Sequence, residues 1–93
     1  MNGQVKVLLH AMFRQTVGKG EVFHELGQGS TLKMLLDELA RRYDKDFKQI
    51  MNPTTGLIET DTLVMVNGQS IRKPDVQLKD GDVVMITVPI GGG

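Results

Sequence analysis

The segment most able to take part in chemistry is the glycine run that closes the sequence, Val88-Pro89-Ile90-Gly91-Gly92-Gly93. Glycines lack Cβ atoms, so they fit a channel too narrow for other residues and adopt dihedrals that other residues avoid. Fully extended, Gly91–Gly93 span about 10 Å and Pro89–Gly93 about 17 Å. The unhindered carboxylate of Gly93 is therefore a candidate acyl group, although a glycine-rich end is also typical of an inert terminus.

A carboxylate becomes an acyl donor only after activation, which ATP provides by forming an acyl-adenylate. The sequence contains no Walker motif and no dinucleotide fingerprint. The nucleotide chemistry is therefore expected to belong to another protein, with this chain as its substrate rather than an enzyme. We predict no catalytic residue and no bound cofactor here. Because the chain has no cysteine, any sulfur it handles must be carried on something other than a thiol side chain.

The remaining candidates for chemistry are two histidines and two neighbouring aspartates. A hairpin centred near Gly18-Lys19 places His10 and His24 in non-facing positions, so both are interpreted as structural. Asp80 and Asp82 flank a glycine, and calcium requires six to eight oxygen ligands. This pair is therefore interpreted as a plain turn, and no metal site is predicted.

The overall composition is that of an ordinary globular domain. Among 93 residues, eleven basic side chains balance eleven acidic ones, so no charge excess indicates nucleic acid or a membrane surface. The apolar run 7–13 is interrupted by a histidine, and no run approaches the roughly 20 apolar residues of a membrane span. The cytoplasm is the expected compartment.

The first half of the chain predicts a hairpin followed by a helix. Alternating apolar residues from Val5 to Phe13 indicate a long strand reaching Arg14, and a turn at 17–20 leads to a returning strand at Glu21–Leu26. Ser30 or Thr31 is expected to cap a helix whose apolar stripe recurs every three or four residues. That stripe comprises Leu32, Leu35, Leu36, Leu39, Ala40 and Tyr43. A further helical turn is predicted within 44–51, before a loop at 52–56.

The second half predicts three more strands. Leu63–Val66 leads into Asn67-Gly68, a strong hairpin-turn dipeptide, and a brief strand within 69–72. After a turn at 79–82, Val83–Val88 forms the last strand, which Pro89 ends because proline has no N–H for the ladder. Two hairpins around one amphipathic helix indicate an α+β fold. The last strand is expected to lie centrally, parallel to the first.

The strand pattern also predicts an apolar face on the side of the sheet away from the helix. If Val7, Val64 and Ile86 face the helix, the alternation places a second apolar set on the opposite side. Methionine adapts to irregular partner surfaces, so we predict a docking site for a partner there, with self-association or a covering loop as the alternatives. The predicted docking residues are Leu8, Met12, Leu63, Met65, Val83 and Met85.

These motifs, in this order and spacing, resemble those of the molybdopterin synthase small subunit, the thiazole-forming sulfur carriers and the archaeal ubiquitin-like modifiers. The likeness runs from the Val5-Lys6-Val7 strand through the Thr31-Leu32 helix start and the Asn67-Gly68 turn. It closes with Asp80-Gly81-Asp82 and the terminal diglycine. It implies a ubiquitin-like β-grasp, with a mixed sheet of four to five strands on one helix. Residues 1–90 would form the domain and 91–93 a flexible tail.

The resemblance also implies a function. A ubiquitin-activating-type enzyme, using ATP and Mg²⁺, would adenylate Gly93, and a sulfur donor would convert it to a thiocarboxylate for molybdopterin synthesis with the synthase large subunit. Pro89, Gly91 and Gly92 would thread the enzyme channel. Val88 stands where many relatives have a second proline, and Gly91 replaces a common alanine or serine. Attachment of Gly93 to target lysines, as a protein modifier, therefore stays open, as does a non-catalytic binding module.

Overall fold

A computed structural model describes residues 3–43 and 45–89, and these form five strands, two α-helices and one short 3-10 helix. Ile90–Gly93, which include the predicted tail and the end of the predicted domain, lie outside the described residues. No helix within the described ranges is long and apolar enough to cross a membrane. In chain order the elements are β1 (Gly3–Leu9), α1 (Ala11–Val17), β2 (Glu21–Leu26), α2 (Leu32–Tyr43), the 3-10 helix (Lys45–Gln49), β3 (Leu63–Val66), β4 (Gln69–Ser70) and β5 (Val83–Thr87).

The five strands form one mixed sheet in the order β2-β1-β5-β3-β4. β1 pairs with β2, and β3 pairs with β4, in two antiparallel hairpins. β5 lies between the hairpins, parallel to β1 and antiparallel to β3. The antiparallel pairing of β1 with β2, the β3–β4 hairpin and the central position of the last strand are therefore confirmed, as is the α+β architecture. The predicted hairpin turn at 17–20 is wrong, because Leu8 pairs with Glu21 and the connection between β1 and β2 contains α1.

The first strand is shorter than the alternation predicted. It ends at Leu9, and Ala11–Val17 form α1 instead of continuing to Arg14. Ala11 adopts a left-handed backbone with φ of 54°, which turns the chain out of the sheet. Phe13 then packs into the core, with its ring centroid 5.2 Å from that of Phe47. The prediction was wrong here because a buried Phe two residues after an Ala imitates strand periodicity over a short window.

The start of α2 is stabilised mostly by tertiary contacts. Thr31 Oγ1 accepts a 3.3 Å hydrogen bond from a first-turn amide, which confirms one of the two predicted caps. The hydroxyl of Ser30 instead bonds the backbone of the preceding loop. The N–H groups of Leu32 and Lys33, which have no acceptor within the helix, donate hydrogen bonds of 2.9 and 2.7 Å to carbonyls of the 74–76 segment. Those amides would otherwise lack partners.

The core lies between α2 and one face of the sheet. The predicted stripe of α2 faces the strands, and Leu36 is completely buried at its centre. The inner residues of β1, β3 and β5 complete this layer, with Phe13 and the 3-10 helix closing one end. The buried side chains of the three strands are Val5, Val7, Leu9, Val64, Val84 and Ile86.

Candidate functional site

The face of the sheet away from α2, called the outer face below, carries a continuous row of apolar side chains. Leu8 of β1 is the parallel partner of Met85 in β5, and Met85 is the antiparallel partner of Met65 in β3. Leu63 and Val83 lie on the same face, one alternation step away from this row. All five are half-buried, as is Val66 at the inner edge of β3. The other inner-face residues beside them, Val7, Leu9, Val64, Val84 and Ile86, are 0–1% exposed. Among the described residues, the five apolar side chains of the outer face are thus less covered than the core beneath α2.

Phe23 of β2 extends this outer face beyond the predicted residues. It is the register partner of Lys6, which in turn pairs with Val83. Its side chain is 54% exposed, one of the most exposed large apolar groups described. The sequence held the signal, because Val22 and Leu26 alternate inward and place Phe23 outward.

Strand alternation predicted Met12 on the outer face, but the structure places this residue in a helix. The residue lies on α1, where it is 42% exposed. α1 packs against β5 and the 3-10 helix. The structure thus places five of the six predicted docking residues on one sheet face and Met12 on a helix beside the end of β5.

The root of the tail is held by the sheet. The carbonyl of Ile86 accepts a 3.1 Å hydrogen bond from the backbone N–H of His10, and Thr87 pairs with Leu63. Val88 packs partly buried against the core, and Pro89 is exposed. The predicted site residues Gly91, Gly92 and Gly93 lie beyond the described residues.

The two histidines lie apart in the structure. His10 precedes α1 and is exposed, whereas His24 lies half-buried on the α2 side of β2. Burial lowers the pKa of His24 below its ordinary value of 6.5, Glu38 opposes that shift, Arg42 adds to it and Glu25 opposes it. Across the described ranges, no cluster of three or more His, Asp or Glu residues could hold a metal ion.

The carboxylates of Asp80 and Asp82 are engaged in the turn before β5. Asp80 accepts a 3.0 Å hydrogen bond from the backbone N–H of Gln4. Asp82 accepts 2.8 and 2.9 Å bonds from the Lys79 backbone and the Asn67 side chain. These contacts join the turn to the start of β1 and to the β3–β4 hairpin.

The sequence and the fold are both similar to those of known proteins. The ThiS family model matches residues 7–93. The chain is 31% identical over 91 residues to the molybdopterin synthase sulfur carrier subunit of Chlamydomonas reinhardtii, covering 97% of this chain and 99% of that protein.

Two solved structures are similar over almost their whole lengths. A putative molybdopterin converting factor subunit 1 from Pyrococcus furiosus is 32% identical with a TM-score of 0.78, covering 95% of this chain and 99% of the other. Small archaeal modifier protein 1 from Methanosarcina acetivorans is 25% identical with a TM-score of 0.78, covering 100% and 99%. The predicted ubiquitin-like β-grasp and the predicted resemblance are confirmed, and the chain belongs to the ThiS family.

Proposed function

We propose that this chain is a sulfur carrier that is adenylated and then thiocarboxylated at Gly93, and that it donates sulfur in molybdopterin synthesis. The observation that carries the proposal is the end-to-end likeness to the Chlamydomonas sulfur carrier subunit. The absence of cysteine from the sequence agrees with a carrier that holds sulfur on its own carboxyl terminus.

The proposed chemistry takes place in two steps on the Gly93 carboxylate. A carboxylate oxygen attacks the α-phosphate of ATP, releasing pyrophosphate and leaving an acyl-adenylate. A sulfide-level sulfur from a donor then attacks the carbonyl carbon and displaces AMP, which yields the thiocarboxylate. ATP and Mg²⁺ are bound by the activating enzyme, and this chain contributes the acyl group. When the sulfur passes to a precursor on the synthase large subunit, water attacks the acyl carbon, the carbon–sulfur bond breaks, and the carboxylate is regenerated.

The outer face is the proposed docking site for these partners, because β5 joins that face to the tail. Val83 and Met85 project from β5 on the outer face, and the same strand ends at the tail root. Met85 precedes Pro89 by four residues, about 13 Å of extended chain. A partner seated on the outer face therefore lies beside the tail root. Its catalytic channel would need to begin within the roughly 17 Å that Pro89–Gly93 span when extended.

A modifier function is the second candidate, favoured by the likeness to the Methanosarcina small archaeal modifier protein. Both functions begin with the same adenylate and differ in the nucleophile that accepts the acyl group. A sulfur nucleophile gives a thiocarboxylate, and a lysine amine gives an isopeptide. Because both reactions start from the Gly93 adenylate, the tail root has the same part in each.

The test of the proposal is ATP–pyrophosphate exchange with the cognate activating enzyme. Removal of Gly93 shortens the tail by about 3.5 Å and should abolish exchange, because the new carboxylate stops short of the nucleotide. Gly92→Val should also fail, since a β-branched side chain widens and stiffens the tail, whereas Gly92→Ala is the smaller matched change. Unfolding free energies should stay within about 0.5 kcal/mol of the parent.

Two outcomes decide between the remaining candidates. If the parent chain does not raise exchange above that of the enzyme alone, its C-terminal carboxylate is not the reacting group and a non-catalytic binding module is the better description; exchange by the chain without Gly93 at the parent rate would show that Gly93 is not required. If exchange is normal, the product made with ATP and a sulfur donor identifies the branch. Thiocarboxylate in intact-mass spectra supports the carrier. An isopeptide-linked C-terminal remnant on cellular lysines supports the modifier; after trypsin this remnant is Asp80–Gly93, because Lys79 is the last Lys or Arg of the chain.

A further inference from the structure

Two methionines lie side by side at the centre of the outer face. Met65 and Met85 are direct antiparallel partners, which places their Cβ atoms about 4.5–5.5 Å apart. Apart from Leu63, every other residue of β3 and β5 is β-branched, the type that strands favour. Each of these strands therefore contains one methionine, with a flexible thioether side chain, at a position where strand propensity favours a β-branched residue.

A thioether undergoes a reaction that the surrounding valines and isoleucines do not. A sulfur lone pair attacks the terminal oxygen of a hydroperoxide, the O–O bond breaks, and the oxygen is transferred to sulfur while the peroxide leaves as an alcohol or water. The sulfur loses two electrons and the peroxide gains them, so no further reagent is required. Methionine sulfoxide is polar, chiral and reducible by methionine sulfoxide reductases.

We propose that Met65 and Met85 form a reversible oxidation site for hydroperoxides, and that their conversion to sulfoxides blocks docking of the activating enzyme on the outer face. This proposal rests on the docking role proposed above for that face. A partner that covers the row must remove water from its centre, and a sulfoxide oxygen buried there loses its hydrogen bonds to water. Leu8, on the other side of Met85, offers no donor to replace them.

The chain supplies an internal control. Met34 is 52% exposed on α2, the helix that packs on the opposite side of the sheet. Its oxidation would leave the outer face unchanged. Met12, on α1 and 42% exposed, provides a second comparison close to the tail root.

The experiment treats the full-length chain with hydrogen peroxide and measures its affinity for the cognate activating enzyme by calorimetric titration. Peptide mass mapping locates each added oxygen. Because a sulfoxide and a thiocarboxylate both add about 16 Da, ¹⁸O-labelled peroxide, which adds about 18 Da, keeps them distinct. The test variant is Met65→Leu with Met85→Leu, a volume-conserving change. Met34→Leu and Met12→Leu are the matched controls.

The parent should lose at least tenfold in affinity on oxidation and regain it after treatment with methionine sulfoxide reductases. Each variant is compared with its own untreated sample: the double leucine variant should bind equally before and after oxidation, and Met34→Leu and Met12→Leu should lose affinity on oxidation as the parent does. Protection by Met12→Leu, or an equal loss in the double leucine variant, would overturn the proposal. So would peptide maps in which Met65 and Met85 escape oxidation. If the untreated parent does not bind the enzyme, the docking role itself fails, whereas binding that survives oxidation of the pair rejects only the oxidation site.

Discussion

The two faces of the same three strands differ far more in burial than in composition. On the inner face, Val7, Val84 and Ile86 are completely buried beneath α2. On the outer face, Leu8 and Met85 occupy the adjacent positions of the same strands and remain half-buried. Both sets are apolar, so hydrophobicity alone does not predict which of the two faces is the buried one. The difference arises because only one face receives the helix.

The choice of side chains separates the two faces further. The inner face of the three strands uses valine, leucine and isoleucine, which pack in few rotamers at high density. The outer face carries the two central methionines, a type that fits irregular surfaces, and Phe23 at its margin. Contiguous apolar patches often mark contacts with other molecules, which is the role proposed above for the outer face. This comparison can be tested by altering each face separately.

The largest effect is expected from the helix that covers the inner face. Leu36→Ala should lower the free energy of unfolding by about 2–5 kcal/mol, because Leu36 is completely buried and its truncation leaves a cavity. Met34→Ala on the exposed side of α2 is the matched control, expected within about 0.5 kcal/mol of the parent. Denaturant titration measures both. A loss under about 1 kcal/mol for Leu36→Ala would place the core elsewhere.

The outer face should respond in the opposite way, with affinity changed more than stability. Because Met65 and Met85 are register partners, Met65→Lys with Met85→Glu introduces an opposite-charge pair and avoids cross-strand repulsion. The free energy of partner binding should become less favourable by about 2–4 kcal/mol, the size of effect found for residues at the centre of an interface. Calorimetric titration measures the affinity, and thermal unfolding checks the fold. A folded double variant that binds every partner as the parent does would reject docking on this face.

The smallest effect is expected at the edge of the inner face, where His24 is only half-buried. Its pKa is lowered, mainly by burial, so the folded state binds a proton less readily than the unfolded chain. His24 makes its full contribution to the free energy of unfolding above the pKa of the unfolded chain, about 6.5. This contribution is lost as the pH falls through that value to the lower folded pKa. The free energy of unfolding should therefore decline below about pH 6.5, by much less than Leu36→Ala costs.

His24→Gln, which cannot titrate, is the variant that isolates this contribution. Denaturant titrations at several pH values should show a shallower decline on the acid side than the parent shows. An identical decline in both proteins would assign the pH dependence to other groups.

Regular periodicity and turn chemistry made most of the fold predictable. The three- and four-residue spacing of the α2 leucines predicted the helix that covers the core. Asn67-Gly68 predicted the β3–β4 turn, where both residues have positive φ, 52° and 82°. Strand alternation placed five of the six predicted outer-face residues correctly, because side chains in a strand alternate between two faces whatever their partners are. The chemical role of the terminal glycines was inferred from the sequence and remains a prediction.

Other features depended on contacts between residues distant in sequence. Ala11 and Phe13 continued an apparent strand pattern, but Phe13 is buried against Phe47 and the chain forms a helix. Local periodicity could not predict that contact, since the favourable burial of an aromatic ring depends on a segment 34 residues further along. The amides that open α2 likewise find their acceptors in the 74–76 segment. The sequence by itself determined which residues are apolar and how they alternate. The tertiary structure decided which apolar face is covered and where the first strand stops, because both depend on long-range packing.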